Sequence, residues 1–167
     1  MLVSAIGVSY AIAQMWMPKS YAIAANVRVG AYGRILRSQH TVAHIFLYSG
    51  TRMLTLAGAS ALSPFRLRRL LGELQSIAND VCAVQARFMH FIEIDGDPRD
   101  DERAMLQQLL DYGPHREAEQ YAGELFLVVP RPGTLSPWSS KATDIARNCG
   151  LARVRRIERG IAYYVSH

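Results

Sequence analysis

The chain has 167 residues, half of them hydrophobic and a fifth charged, with a formal net charge of +5. That length suits one well-cored domain and is too short for two large ones. Residues 1–52 hold five basic side chains and no acidic one, which leaves 14 of each sign in 53–167; the body is neutral and gives no sign of a nucleic-acid partner.

Residues 1–52 read differently from the rest. Met1–Met17 is apolar, but Ser4, Tyr10 and Gln14 interrupt it and Pro18 stops it short of the about 20 residues of a membrane span. No positive charge precedes it, as a secretory signal requires. The acid-free stretch Val27–Arg52 has the composition of a transit peptide. An upstream start codon, with Met53 as the true first residue, accounts for the same facts more simply. Residues 1–52 are therefore expected to be a disordered or untranslated leader, and 53–167 the domain. His40 and His44 stand four apart with no further ligand nearby, so no metal site is expected.

From Met53 the pattern sharpens. Met53–Ala57 reads as a strand. Ser63 is a good N-cap and Pro64 a good first helical residue. Leu67, Leu70, Leu71, Leu74, Ile77 and Ala78 then share one helical face, and Asn79 is the expected stop. Val84–Ile94 alternates with a period of two, and His90 falls on its apolar side as a core or sheet-edge histidine. Gly96-Asp97-Pro98 is a turn, and Asp100-Asp101-Glu102 suits a helix N-terminus, where the dipole favours negative charge. Met105, Leu106, Leu109 and Leu110 supply that helix's inner face, Tyr112-Gly113-Pro114 ends it, and His115–Gly123 is a polar loop. Leu125–Val129 is a continuous apolar run, the pattern of a central strand. After the turn Arg131–Thr134, the residues Trp138, Ala142, Ile145, Ala146 and Cys149 share a second helical face, with Gly150 as C-cap. Val154–Ile157 and Ile161–Val165 read as two closing strands separated by a turn or bulge at Arg159-Gly160. Cys82 and Cys149 form no disulfide or zinc pattern and are expected to be buried, reduced thiols of a cytoplasmic protein.

The phrase Ala61-Leu62-Ser63-Pro64-Phe65 recurs as Thr134-Leu135-Ser136-Pro137-Trp138, each copy lying between an apolar run and a helical pattern. The expected fold is α+β: an antiparallel sheet with helices on one face, built from two pseudo-repeated strand–helix–strand halves and one extra helix. Phosphate loops, nucleophile elbows and metalloprotease motifs are absent. The candidate site is Arg131–Asp144, where a helix N-terminus offers free N–H groups. Thr134, Ser136, Ser139 and Ser140 add hydroxyls there, and Arg131 and Lys141 add charge. Such a place suits an anion or a partner's carboxylate. The plainer reading has Ser136 capping, Trp138 filling the core, and Lys141 and Asp144 solvated.

The string Pro130–Ala146, followed by Asn148-Cys149-Gly150, strongly resembles the N-terminal domain of phosphoribosylformylglycinamidine synthase (formylglycinamide ribonucleotide amidotransferase) in its long single-chain form. Ala61-Leu62-Ser63, His90-Phe91, Asp100-Asp101-Glu102, Leu110–Pro114 and Ile157–Tyr164 agree with it, so the resemblance covers about Met53–His167. It implies a scaffolding domain similar to a fused pair of the small accessory subunits of the split enzyme. The family enzyme converts formylglycinamide ribonucleotide, glutamine and ATP to the amidine, glutamate, ADP and phosphate. In that family this domain carries neither the glutaminase nucleophile nor the ATP and magnesium site. The chain alone is thus expected to have no catalytic residue, cofactor or metal, and no ligase activity. Its implied partners are the synthetase and glutaminase domains, with neither nucleic acid nor membrane; the density of capping and hydrogen-bonding groups in Arg131–Asp144 makes that segment the expected docking surface for the synthetase domain. A free-standing accessory subunit and a binding module anchored by residues 1–50 are the other readings.

Overall fold

In a computed structural model of the chain, the residues described are 21–29, by backbone alone, 51–113, 121–131 and 134–167. His40, His44, Met1–Met17, most of the polar loop and the middle of the Arg131–Thr134 turn lie outside them. Five strands and three helices follow in order: β1 (Tyr21–Val29), β2 (Thr51–Ser60), α1 (Pro64–Gln75), β3 (Ala83–Asp95), α2 (Asp100–Leu110), β4 (Gly123–Pro130), α3 (Pro137–Asn148) and β5 (Val154–Ser166). The strands make one antiparallel sheet in the order β1-β4-β5-β3-β2. No element was expected before Met53, yet Tyr21–Val29 lies at the sheet edge against β4.

Side chains alternate across a strand, so the two faces can be read from parity. On one face Leu70 and Leu74 of α1 pack on Val84, Ala86, Phe126, Val128, Tyr163 and Val165. On the same face Leu106 and Leu110 of α2 and Ala146 of α3 pack on Leu54, Ile92, Ile94, Val154 and Ile157. The opposite face carries Phe91, Leu125, Leu127, Val129, Ala162 and Tyr164 and bears none of the three helices. The expected α+β architecture with helices on one face is therefore the one observed.

Several details differ from expectation. The two closing strands are one, and its pairing with β3 runs unbroken from Ala83↔Ser166 to Glu93↔Arg156. Gly160 marks a close approach, not a turn: a Cβ there would lie 2.7 Å from the Val128 carbonyl oxygen. Helix α1 stops at Gln75, so Ile77 no longer follows the helical period and is 53% exposed. Helix α2 buries Glu102, Leu106 and Leu110 instead of Met105, because the Glu102 carboxylate accepts from the Arg153 guanidinium at 3.0 Å and turns that face inward. Both cysteines are exposed. Cys149 is the C-cap of α3, where the chain leaves the helical path, and Cys82 precedes β3. Among the described residues, no helix is long and apolar enough to cross a membrane.

Candidate functional site

The second Ser-Pro phrase does begin a helix. Ser136 is extended (φ −78°, ψ 147°), its Oγ accepts from Ser139 N at 3.0 Å, and Pro137 occupies the first helical position. The same Oγ donates to Glu158 Oε1 at 3.1 Å. Glu158 is 3% exposed, a burial that an ionised carboxylate tolerates only with partners. It has them: Arg156 Nη2 donates to Oε2 at 2.7 Å, and Arg159 N donates to Oε1 at 3.1 Å. Arg156 also donates to the Thr134 carbonyl at 2.9 Å, tying the approach to α3 onto β5.

Further along α3, the polar side chains answer a need of the sheet. Strand β4 pairs with β5 only from Glu124 to Val128, opposite Val165 to Ile161, so among the described residues no strand pairs with the Val154–Arg159 part of β5 on that side. Backbone groups along such an edge require other partners. Ser139 Oγ donates to the Ile157 carbonyl at 2.6 Å, and Ile157 N donates to Thr143 Oγ1 at 2.9 Å. Thr143 Oγ1 in turn donates to Ser139 O at 2.8 Å. Arg147 donates from Nε to Val154 O at 3.1 Å and from Nη2 to Arg155 O at 3.0 Å. Side chains of α3 thus stand in for the missing strand.

Trp138 faces the sheet beside a cluster that the sequence did not assemble. His90 is fully buried, and its Nε2 lies 2.9 Å from the Tyr112 hydroxyl. The Trp138 ring stacks on His90 with centroids 5.7 Å apart and planes 26° apart. Arg159, the cross-strand partner of His90, donates from Nη1 to the Tyr112 hydroxyl at 3.1 Å. Its guanidinium carbon lies 4.4 Å from the Phe88 ring centroid and 4.5 Å from that of Trp138, a cation–π arrangement. Because arginine only donates, Tyr112 accepts from it, and its hydroxyl also meets His90 Nε2, as donor or acceptor according to the tautomer of the ring. Burial first, then the Arg159 charge, lowers the His90 pKa to about 4; the Leu56 backbone pulls weakly the other way. Nδ1 itself makes no hydrogen bond within 3.5 Å. Gly58 makes room for the ring, since a Cβ there would come within 2.6 Å of His90 Cε1.

The predicted residues therefore divide. Thr134, Ser136 and Ser139 are engaged within the fold, Thr134 Oγ1 by the Arg131 carbonyl at 2.6 Å. Trp138 is half-buried, while Arg131, Ser140, Lys141 and Asp144 remain exposed. Between α2 and α3 lies an open cleft of about 180 Å3, with Leu109, Tyr112, Trp138, Lys141 and Ile145 among its walls. Tyr112, Arg159 and Glu158 were missed as participants, and the only signal for them was their place in the two strings Leu110–Pro114 and Ile157–Tyr164. Among the described residues, no group of three or more His, Cys, Asp and Glu is placed to hold a metal ion. Residues 87–167 match the family described as formylglycinamide ribonucleotide amidotransferase N-terminal.

Proposed function

We propose that this chain, whose residues 87–167 match that family, takes part in the purine-biosynthesis amidotransferase as a non-catalytic scaffold that orders the synthetase and glutaminase domains. The family match carries this reading. The geometry supports it, since the polar groups of α3 serve the sheet edge while Lys141 and Asp144 stay on the surface, next to the cleft at Trp138. In this reading the exposed side of Arg131–Asp144 meets the synthetase domain. The strand–helix–strand units β2-α1-β3 and β4-α3-β5, each with a Ser-Pro cap and joined through β3 and β5, suit a fused pair of accessory subunits. ATP, magnesium and the glutaminase nucleophile belong to the other domains, and the compartment is the cytoplasm.

The purified chain alone is expected to form no amidine from formylglycinamide ribonucleotide, glutamine and ATP. In the assembled enzyme, Lys141→Glu combined with Trp138→Ala is expected to lower the amidine formed per glutamine hydrolysed. A ratio equal to that of the unaltered enzyme would refute the docking role of this face.

A further inference from the structure

Several arginines of the body have an acidic partner: Arg69 pairs with Glu73, Arg99 with Asp101 and Glu102, Arg153 with Glu102, Arg155 with Asp95 and Arg156 with Glu158. Arg159 has none among the described residues. Its guanidinium is half-buried and held by two aromatic rings and the Tyr112 hydroxyl, all of them neutral. The nearest carboxylate in sequence, Glu158, is occupied by Arg156, Ser136 and the Arg159 backbone N–H. Lys141, also unpaired among the described residues, follows Trp138 by one helical turn and is a wall of the cleft, whose floor includes Leu110, Ala146 and Ile157. Asp144, a turn further on, is exposed and forms no ion pair with Lys141 within 4.0 Å. Arg159 thus lies against Trp138, Lys141 shares the wall of the apolar cleft with that tryptophan, and neither cation has an acidic partner among the described residues.

A partly desolvated, oriented guanidinium suits a carboxylate, which it meets through parallel N–H donors. An apolar floor with a cationic rim suits an aliphatic side chain followed by an acidic one. We propose that the face formed by Arg159, Trp138, Lys141 and the α2–α3 cleft receives an acidic residue of the catalytic partner domain, with a neighbouring aliphatic side chain seated in the cleft. The inference rests on the scaffold reading and specifies the chemistry of its contact. Unlike the hydroxyls at the start of α3, which serve the fold, these cations have donors to offer a partner.

The test uses the full 167-residue chain and a synthetase–glutaminase polypeptide of the same family that lacks its own N-terminal domain, with Kd measured by fluorescence anisotropy. Arg159→Gln and Lys141→Glu are each expected to weaken binding at least tenfold, and Arg159→Lys less than Arg159→Gln, while Arg68→Glu on α1 leaves Kd unchanged. Binding is also expected to weaken with added salt. Lys141→Glu alters an exposed side chain, so its effect is independent of folding, and an unchanged thermal transition would establish this. If the unaltered chain binds and Lys141→Glu binds equally well, the acidic contact is wrong although the scaffold reading stands. Equal weakening by Arg68→Glu would also overturn the site. Failure of the unaltered chain to bind would overturn the scaffold reading and the contact with it.

Discussion

Helix α1 meets the sheet through Leu67, Leu70, Leu71 and Leu74, whereas α3, begun by the same Ser-Pro pair, meets it through Ser139, Ala142, Thr143 and Ala146. The difference follows from what lies beneath each helix. Under α1 the strands β3, β5 and β4 lie side by side and satisfy one another's backbone groups, so an aliphatic interface suffices. Under α3 the strand β4 has ended and β5 has an open edge, so the helix must supply hydrogen bonds as well as apolar surface. Small side chains bring the helix near enough to do so. A helix face that looks weakly hydrophobic is here a response to an incomplete sheet.

The largest expected separation between the two halves is in their response to acid. His90, though carried by β3, packs under α3 against Trp138, and burial lowers its pKa from 6.5 to about 4. The unfolded chain therefore takes up this proton first as pH falls. The contribution of His90 is full above about pH 6.5 and declines toward pH 4, a loss of roughly 3 kcal/mol from this group. Urea unfolding across that range should show the decline, and His90→Gln should flatten the part that precedes carboxylate titration. An identical pH profile for the two proteins would count against a neutral, buried His90.

The hydroxyl bridge offers a more local break. Thr143→Val keeps the shape of the side chain but leaves Ile157 N–H buried without an acceptor, at a cost of about 1–3 kcal/mol. Amide exchange at Ile157 should quicken in the variant, while exchange of residues under α1 stays unchanged. The smallest effect concerns the caps. Ser63→Ala should cost about 1 kcal/mol, and Ser136→Ala somewhat more, since it also takes a donor from the buried Glu158. Equal losses in thermal unfolding would show that the bond to Glu158 adds nothing.

Much of this was legible in the residues. The Ser-Pro starts, the period-two run of β3 and the leucine face of α1 depend on neighbours a few positions away, and all appear where expected. What could not be read depends on distant backbone. Arg159-Gly160 has the composition of a turn, but Gly160 is required because β4 passes too close for a side chain. The hydroxyls of Ser139 and Thr143 were visible as donors. Their partners were not, because the Ile157 backbone is open only where β4 happens to stop. The assembly of His90, Tyr112, Trp138 and Arg159 draws on four separate elements or their ends, and no local pattern announces it.

Strand β5 comes last of the five in sequence and lies in the middle of the sheet. Before it arrives, the described strands can form two separate ladders, β2 with β3 and β1 with β4, and each leaves open the edge that β5 will fill. Its insertion joins residues as remote as Ala83 and Ser166, a slow step in folding because so long a loop must close first. On the ribosome the two ladders would therefore wait for their keystone. During that interval the edges of β3 and β4 are open to strands of other molecules, the period in which this domain is most exposed to aggregation.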